Sequence, residues 1–149
     1  MASHFSATAT ATVSDEVFVL SSTLLCDRPH RLLLGGGFDV VLVPEQHARE
    51  AVGHLDRLEL RPVGAVFAID GQWGFFLPEG SNEPPWPSPV QYLGAGTAVT
   101  VPPASWSHAD ASPRSGWVRR HRNGRIFTPP LLLHPIVEAI SWRLAEVDS

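Results

Sequence analysis

Lysine is absent from this 149-residue chain, and all 11 of its basic residues are arginine. Asparagine and isoleucine are scarce, while alanine, glycine, proline and arginine are abundant. That is the bias a GC-rich genome imposes through its codons, and it points to a bacterial source. The single cysteine, Cys26, excludes an intramolecular disulfide and a cysteine-rich zinc site, and it fits a reducing compartment. No apolar run approaches the roughly 18–20 residues a membrane helix needs. The amino terminus has no basic n-region, and Asp15-Glu16 interrupts its apolar stretch, so no secretory signal is read there. A soluble cytoplasmic protein is expected, with no membrane partner.

Charge is also in short supply. Charged residues are 17% of the chain against 44% hydrophobic, a balance of folded rather than disordered sequences. The net charge of −4 excludes a protein that coats nucleic acid with its whole surface, although one basic patch remains compatible with it. The length suits one domain with a real core.

Met1 to Ser14 is small, polar and rich in Thr and Ala, and reads as a flexible tail. Residues 15–149 are expected to form a single α+β domain. Val17 to Leu25 is apolar enough for a short strand or helix, and periodicity does not separate the two. Gly35-Gly36-Gly37 supplies a turn before Phe38 to Val43, a β-branched apolar run expected to be a strand covered on both faces. Pro44 suits the first turn of a helix. Ala48, Ala51, Val52, Leu55 and Leu58 then form one apolar stripe.

Val63 to Ile69 and Gln72 to Leu77 read as strands joined by Asp70-Gly71, a two-residue hairpin signal. The five prolines between Pro78 and Pro89 predict a surface loop. Thr97 to Val101 is the next strand, and Gly116-Trp117-Val118 another. Asn123-Gly124 is a second hairpin-type turn, returning the chain through Ile126 and Phe127. Pro135 is expected to open a final helix with Ile136, Val137, Ile140, Leu144 and Val147 as its buried stripe.

Three segments in one order stand out: Phe38-Asp39-Val40-Val41-Leu42-Val43-Pro44, Gly71-Gln72-Trp73-Gly74-Phe75-Phe76, and Gly94-Ala95-Gly96 leading to Pro102-Pro103-Ala104-Ser105, with Gly116-Trp117 downstream. Their order and spacing resemble the bifunctional DNA primase/polymerase N-terminal domain, in particular a short primase/polymerase-like group of high-GC bacteria. The resemblance covers roughly Pro29 to Leu144. It implies an α+β fold, with a mixed or antiparallel sheet and two main helices packed on it. It also implies nucleotidyl transfer, with Mg²⁺ or Mn²⁺ held by two carboxylates one residue apart on a strand and a His set against the incoming triphosphate.

The residues that chemistry requires are missing. Hard divalent ions take oxygen ligands, and two ligands on one strand face must sit two residues apart. Asp39 is the weak catalytic candidate, but position 41 is Val. Trp73 or Gly74 stands where the His is expected, which removes the phosphate anchor as well. His47, Glu50 and His54 on the first helix do not have the i, i+4 metal signature, so no metal site is assigned.

Two features remain for binding. Pro102 and Pro103 make a rigid loop that presents Ser105, and the resemblance sets this loop at the border of a nucleotide pocket. Arg114, Arg119, Arg120, Arg122 and Arg125 occur around the second hairpin without one acidic residue, with Trp117 beside them. Arginine forks match phosphate oxygens, and an adjacent aromatic stacks on bases.

The expectation is therefore a catalytically degenerate primase/polymerase-like domain. It would bind single-stranded DNA or RNA, or a nucleotide, through the arginine hairpin and the Pro-Pro-x-Ser loop. Two alternatives stand beside it. One is an active nucleotidyltransferase using Mg²⁺ or Mn²⁺, with displaced ligands such as Asp70, Glu79 or Asp110. The other is a protein–protein interaction module anchored by the Pro-rich loop and Trp86 or Trp106.

Overall fold

Val40, Val41 and Val43 are wholly buried because their strand is covered on both faces. The computed structural model describes residues 27–107, 115–120 and 125–148. Among them are seven strands and two helices: β1 (His30–Leu33), β2 (Phe38–Pro44), α1 (Glu45–Asp56), β3 (Val66–Ile69), β4 (Gln72–Pro78), β5 (Gln91–Leu93), β6 (Ala98–Val101), β7 (Ser115–Arg119) and α2 (Pro130–Asp148). The fold is α+β, as the alternation of strand, helix and hairpin signals predicts.

Five strands form an antiparallel sheet in the order β5-β2-β4-β3-β7, and β1 pairs with β6 in a separate two-stranded ribbon. Strand alternation divides the core in two. Val41 and Val43 join Val66, Phe75 and Leu77 beneath the helices, where Ala48, Ala51, Val52 and Leu55 of α1 meet Leu133, Val137 and Ile140 of α2. Phe38, Val40 and Leu42 face the other way, with Phe67, Phe76 and Trp117 against Leu32, Val99 and Val101 of the ribbon. Helices, sheet and ribbon make three layers.

The hairpin of β3 and β4 is the one its sequence announces. Asp70 and Gly71 both take positive φ, at 47° and 83°, as a two-residue turn between twisted strands requires. Gly74 has a different reason to be glycine. A Cβ there would lie 2.2 Å from Cζ of Phe67, whose ring crosses the strand at that point.

Several boundaries differ from expectation. Pro44 ends β2 and caps α1 instead of lying in its first turn. The helix stops at Asp56, so Leu58 lies beyond its end and is exposed. α2 begins at Pro130, which occupies the favourable first position, and Pro135 lies inside it. Ile126 and Phe127 do not pair back with β7. They run beside the end of β4, where Ile126 O accepts from Ala65 N–H, Thr128 N–H donates to Phe76 O and Thr128 Oγ1 accepts from Gly64 N–H. Gly64 must be glycine there, since a Cβ would sit 2.2 Å from the Ile126 carbonyl oxygen. The runs at Val17–Leu25 and at Asn123-Gly124 lie outside the described residues. Among the described residues no helix is long and apolar enough to cross a membrane.

Candidate functional site

Asp39 opens β2 on the helix side of the sheet, and its carboxylate is buried. Oδ2 accepts hydrogen bonds from Gly80 N–H, at 2.9 Å, and from the Tyr92 hydroxyl. Burial, and then the bond to Asp39, push the Tyr92 phenol well above its ordinary range, so it stays protonated and donates. Tyr92 Oη in turn accepts from Ser81 N–H at 2.9 Å.

The network continues along the Pro-rich loop. Trp86 Nε1 donates to Ser81 O, its ring lies 4.7 Å from the ring of His134, and His134 Nε2 donates to Pro85 O. Asp39, Tyr92 and His134 thus pin the loop between Pro78 and Pro89 to the sheet and to α2. Asp39 holds a loop in place, which satisfies the two donors that converge on its Oδ2.

The paired carboxylates that the resemblance implies are not present on this strand face. Oδ2 is engaged, Oδ1 is buried without a hydrogen-bond partner among the described residues, and Val41 and Val43 occupy the following positions on its face. Glu79 adjoins the latch but is exposed, Asp70 lies at the far end of β4, and Asp110 is outside the described residues. Among the described residues no group of three or more His, Cys, Asp or Glu side chains could hold a metal ion. Both positions where the His was expected serve the core. Trp73 is buried beneath the Arg49 guanidinium, 5.1 Å from its ring, and a side chain at Gly74 would overlap Phe67.

The second group of predicted residues does assemble, in a form the sequence did not disclose. Pro102 and Pro103 are buried, and Trp106 N–H donates to Pro103 O to close a tight turn. Trp117 Nε1 donates to Pro102 O at 3.1 Å, and Trp117 N–H donates to Trp106 O at 2.8 Å. Ser105 is exposed at the turn, where its N–H and hydroxyl both donate to Asp27 Oδ1. Arg120 Nε donates to Ala104 O at 2.9 Å.

Two expectations for the arginine segment need correction. Trp117 is only 3% exposed and packs on Phe67 and Phe76, so no face of its ring can receive a base. Arg119 is bonded at both Nη atoms to Asp56, at 2.6 and 2.7 Å, and does not offer its fork to a ligand. That pair holds the Asp56 carboxyl below the usual carboxylate range. The cause of both is the sheet. β7 pairs with β3, which turns Trp117 into the ribbon-side core and brings Arg119 within reach of the end of α1.

Arg120 and Arg125 remain exposed, and no partner among the described residues engages Arg125 or the Nη atoms of Arg120. They share one end of the sheet, because β7 leaves beside Val66 and the chain returns with Ile126 bonded to Ala65. Arg114 and Arg122 lie outside the described residues. β2 and β7 are three strand spacings apart in the sheet, about 14 Å, so Asp39 and the turn do not converge on one cleft.

Sequence reasoning missed Tyr92 and His134 because each meets its partner only across the fold; Tyr92 is 53 residues from Asp39. No protein-family model, curated protein or solved structure matches the chain.

Proposed function

We propose that this chain is a catalytically silent primase/polymerase-like domain that binds a phosphate-bearing ligand, single-stranded nucleic acid or a nucleotide. The proposed site is the turn at Pro102, Pro103 and Ser105 together with Arg120 and Arg125. The observation that carries the reading is Arg120. Its Nε is anchored on Ala104 O, which fixes a guanidinium beside the turn while its terminal amino groups remain available. A planar fork held in this way suits phosphate oxygens. Arg125 adds a second exposed cation at the same end of the sheet. The silence of the catalytic machinery is supported by the engagement of Asp39 with Gly80 and Tyr92 and by the lack of a second carboxylate on its strand face.

Binding of this kind is electrostatic and follows salt. Each phosphate contact on a single strand contributes about −0.7 to the slope of log K against log salt, so replacing Arg120 and Arg125 together should reduce the slope by about 1.4. Titration of single-stranded DNA and RNA at two salt concentrations checks this. Sequence preference should change little, because phosphate contacts carry no base information. Absence of binding at low salt, or binding indifferent to the double replacement, removes the reading in favour of a protein–protein module.

A further inference from the structure

α2 is apolar on two opposite sides. Leu133, Val137 and Ile140 face the sheet, as a surface helix of this kind requires. On the far side Leu131 is 87% exposed and Trp142 69%, with Leu132 at 39%. Pro135 and Ala139, also exposed, lie between them. At 3.6 residues per turn, Leu131, Pro135, Ala139 and Trp142 share one face over three turns, a length of about 16 Å. The flanks are polar: Glu138 is exposed on one side, and Arg143 reaches Glu50 of α1 on the other. An exposed apolar face with a polar rim is the anatomy of an interface, and among the described residues nothing covers it.

We propose that this face is the contact between two copies of the chain, α2 against α2, antiparallel across a two-fold axis level with Ile136 and Val137. The order of side-chain sizes selects this occupant. Along the face it runs large, small, small, large, so reversing the helix reproduces it. A two-fold partner therefore sets each Trp142 against the other copy's Leu131, while Pro135 and Ala139 let the helices approach between them. Self-complementarity is what an isologous contact demands, and a two-fold closes where a head-to-tail contact would not. Antiparallel α2 helices also set opposite dipole ends side by side. If a pair covered all the exposed surface of the five apolar side chains it would remove at most about 1,000 Å², the size of a weak contact that dissociates on dilution.

Sedimentation equilibrium of the full chain tests this, with three variants. The parent is expected to be a dimer that dissociates on dilution. Trp142→Ala should raise the dissociation constant about 30-fold, as loss of a large aromatic anchor does. Leu131→Glu and Trp142→Arg should each be monomeric with the parent's circular dichroism, since both positions are exposed in one copy. Mixed together, those two should associate again, because an antiparallel pair sets the new Glu against the new Arg at one end and leaves native Trp against Leu at the other. A monomeric parent at high concentration overturns the proposal and leaves the face to a different protein. A dimer unaffected by Trp142→Ala, or a mixture that stays monomeric, overturns it too.

Discussion

Trp117→Ala is expected to destabilise the fold by about 3–5 kcal/mol, the range for removing a large aromatic from a core. Trp117 lies edge-on to Phe67, with ring centroids 5.9 Å apart, and stacked on Phe76 at 6.4 Å. Its indole N–H satisfies the Pro102 carbonyl, so truncation also leaves that buried oxygen unpaired and loosens the turn. Urea denaturation monitored by circular dichroism gives the value. A base-stacking tryptophan behaves oppositely: it is exposed, and its loss leaves stability unchanged while weakening binding by about 1–3 kcal/mol. An unchanged midpoint for Trp117→Ala would therefore return the residue to the binding surface.

Leu55→Ala should cost about 2–5 kcal/mol by the same kind of cavity. Leu55 is fully buried in the last turn of α1, within the helix-side core that also holds Leu133, Val137 and Ile140 of α2. Its neighbour on the sequence pattern provides the control. Leu58 continues the i, i+3, i+4 spacing but lies past the end of the helix and is exposed, so Leu58→Ala should stay within about 0.5 kcal/mol of the parent. Equal effects of the two substitutions would mean that the helix is oriented or terminated differently.

The contrast between Leu55 and Leu58 shows where sequence periodicity carries information. It follows apolar spacing but not the point where a helix stops being helix, and Arg57, Leu58 and Arg61 close off α1 with turn bonds instead. The hairpin at Asp70-Gly71 was legible because its signal is local: two residues with positive φ between two apolar runs. β5 was not legible, since three residues after a Pro-rich loop carry too little pattern to read as a strand.

The arginine segment was legible in composition and illegible in direction. Five arginines without an acidic neighbour read as one patch, yet Asp56, 63 residues away in sequence, takes Arg119 out of it. Trp117 beside arginines reads as a stacking group, and only the pairing of β7 with β3 shows that it faces the core. The missing motif residues were easier to see, because the resemblance expects particular side chains at fixed spacing. Val41 and Gly74 stand at two of those places, and the packing of each supplies a reason for the residue that is there. The latch from Asp39 to Tyr92 and on to His134 was hidden, because it joins segments far apart in the chain.

Asp39 holds a loop through Gly80 and Tyr92, and the proposed catalytic silence rests on that engagement. Extension of a primed template by the purified chain, with Mg²⁺ and with Mn²⁺, tests that most directly. No template-dependent incorporation is expected with either ion, because Asp39 has no partner ligand on its strand and its Oδ2 already serves Gly80 and Tyr92. Incorporation that depends on the template and disappears in Asp39→Ala would contradict it.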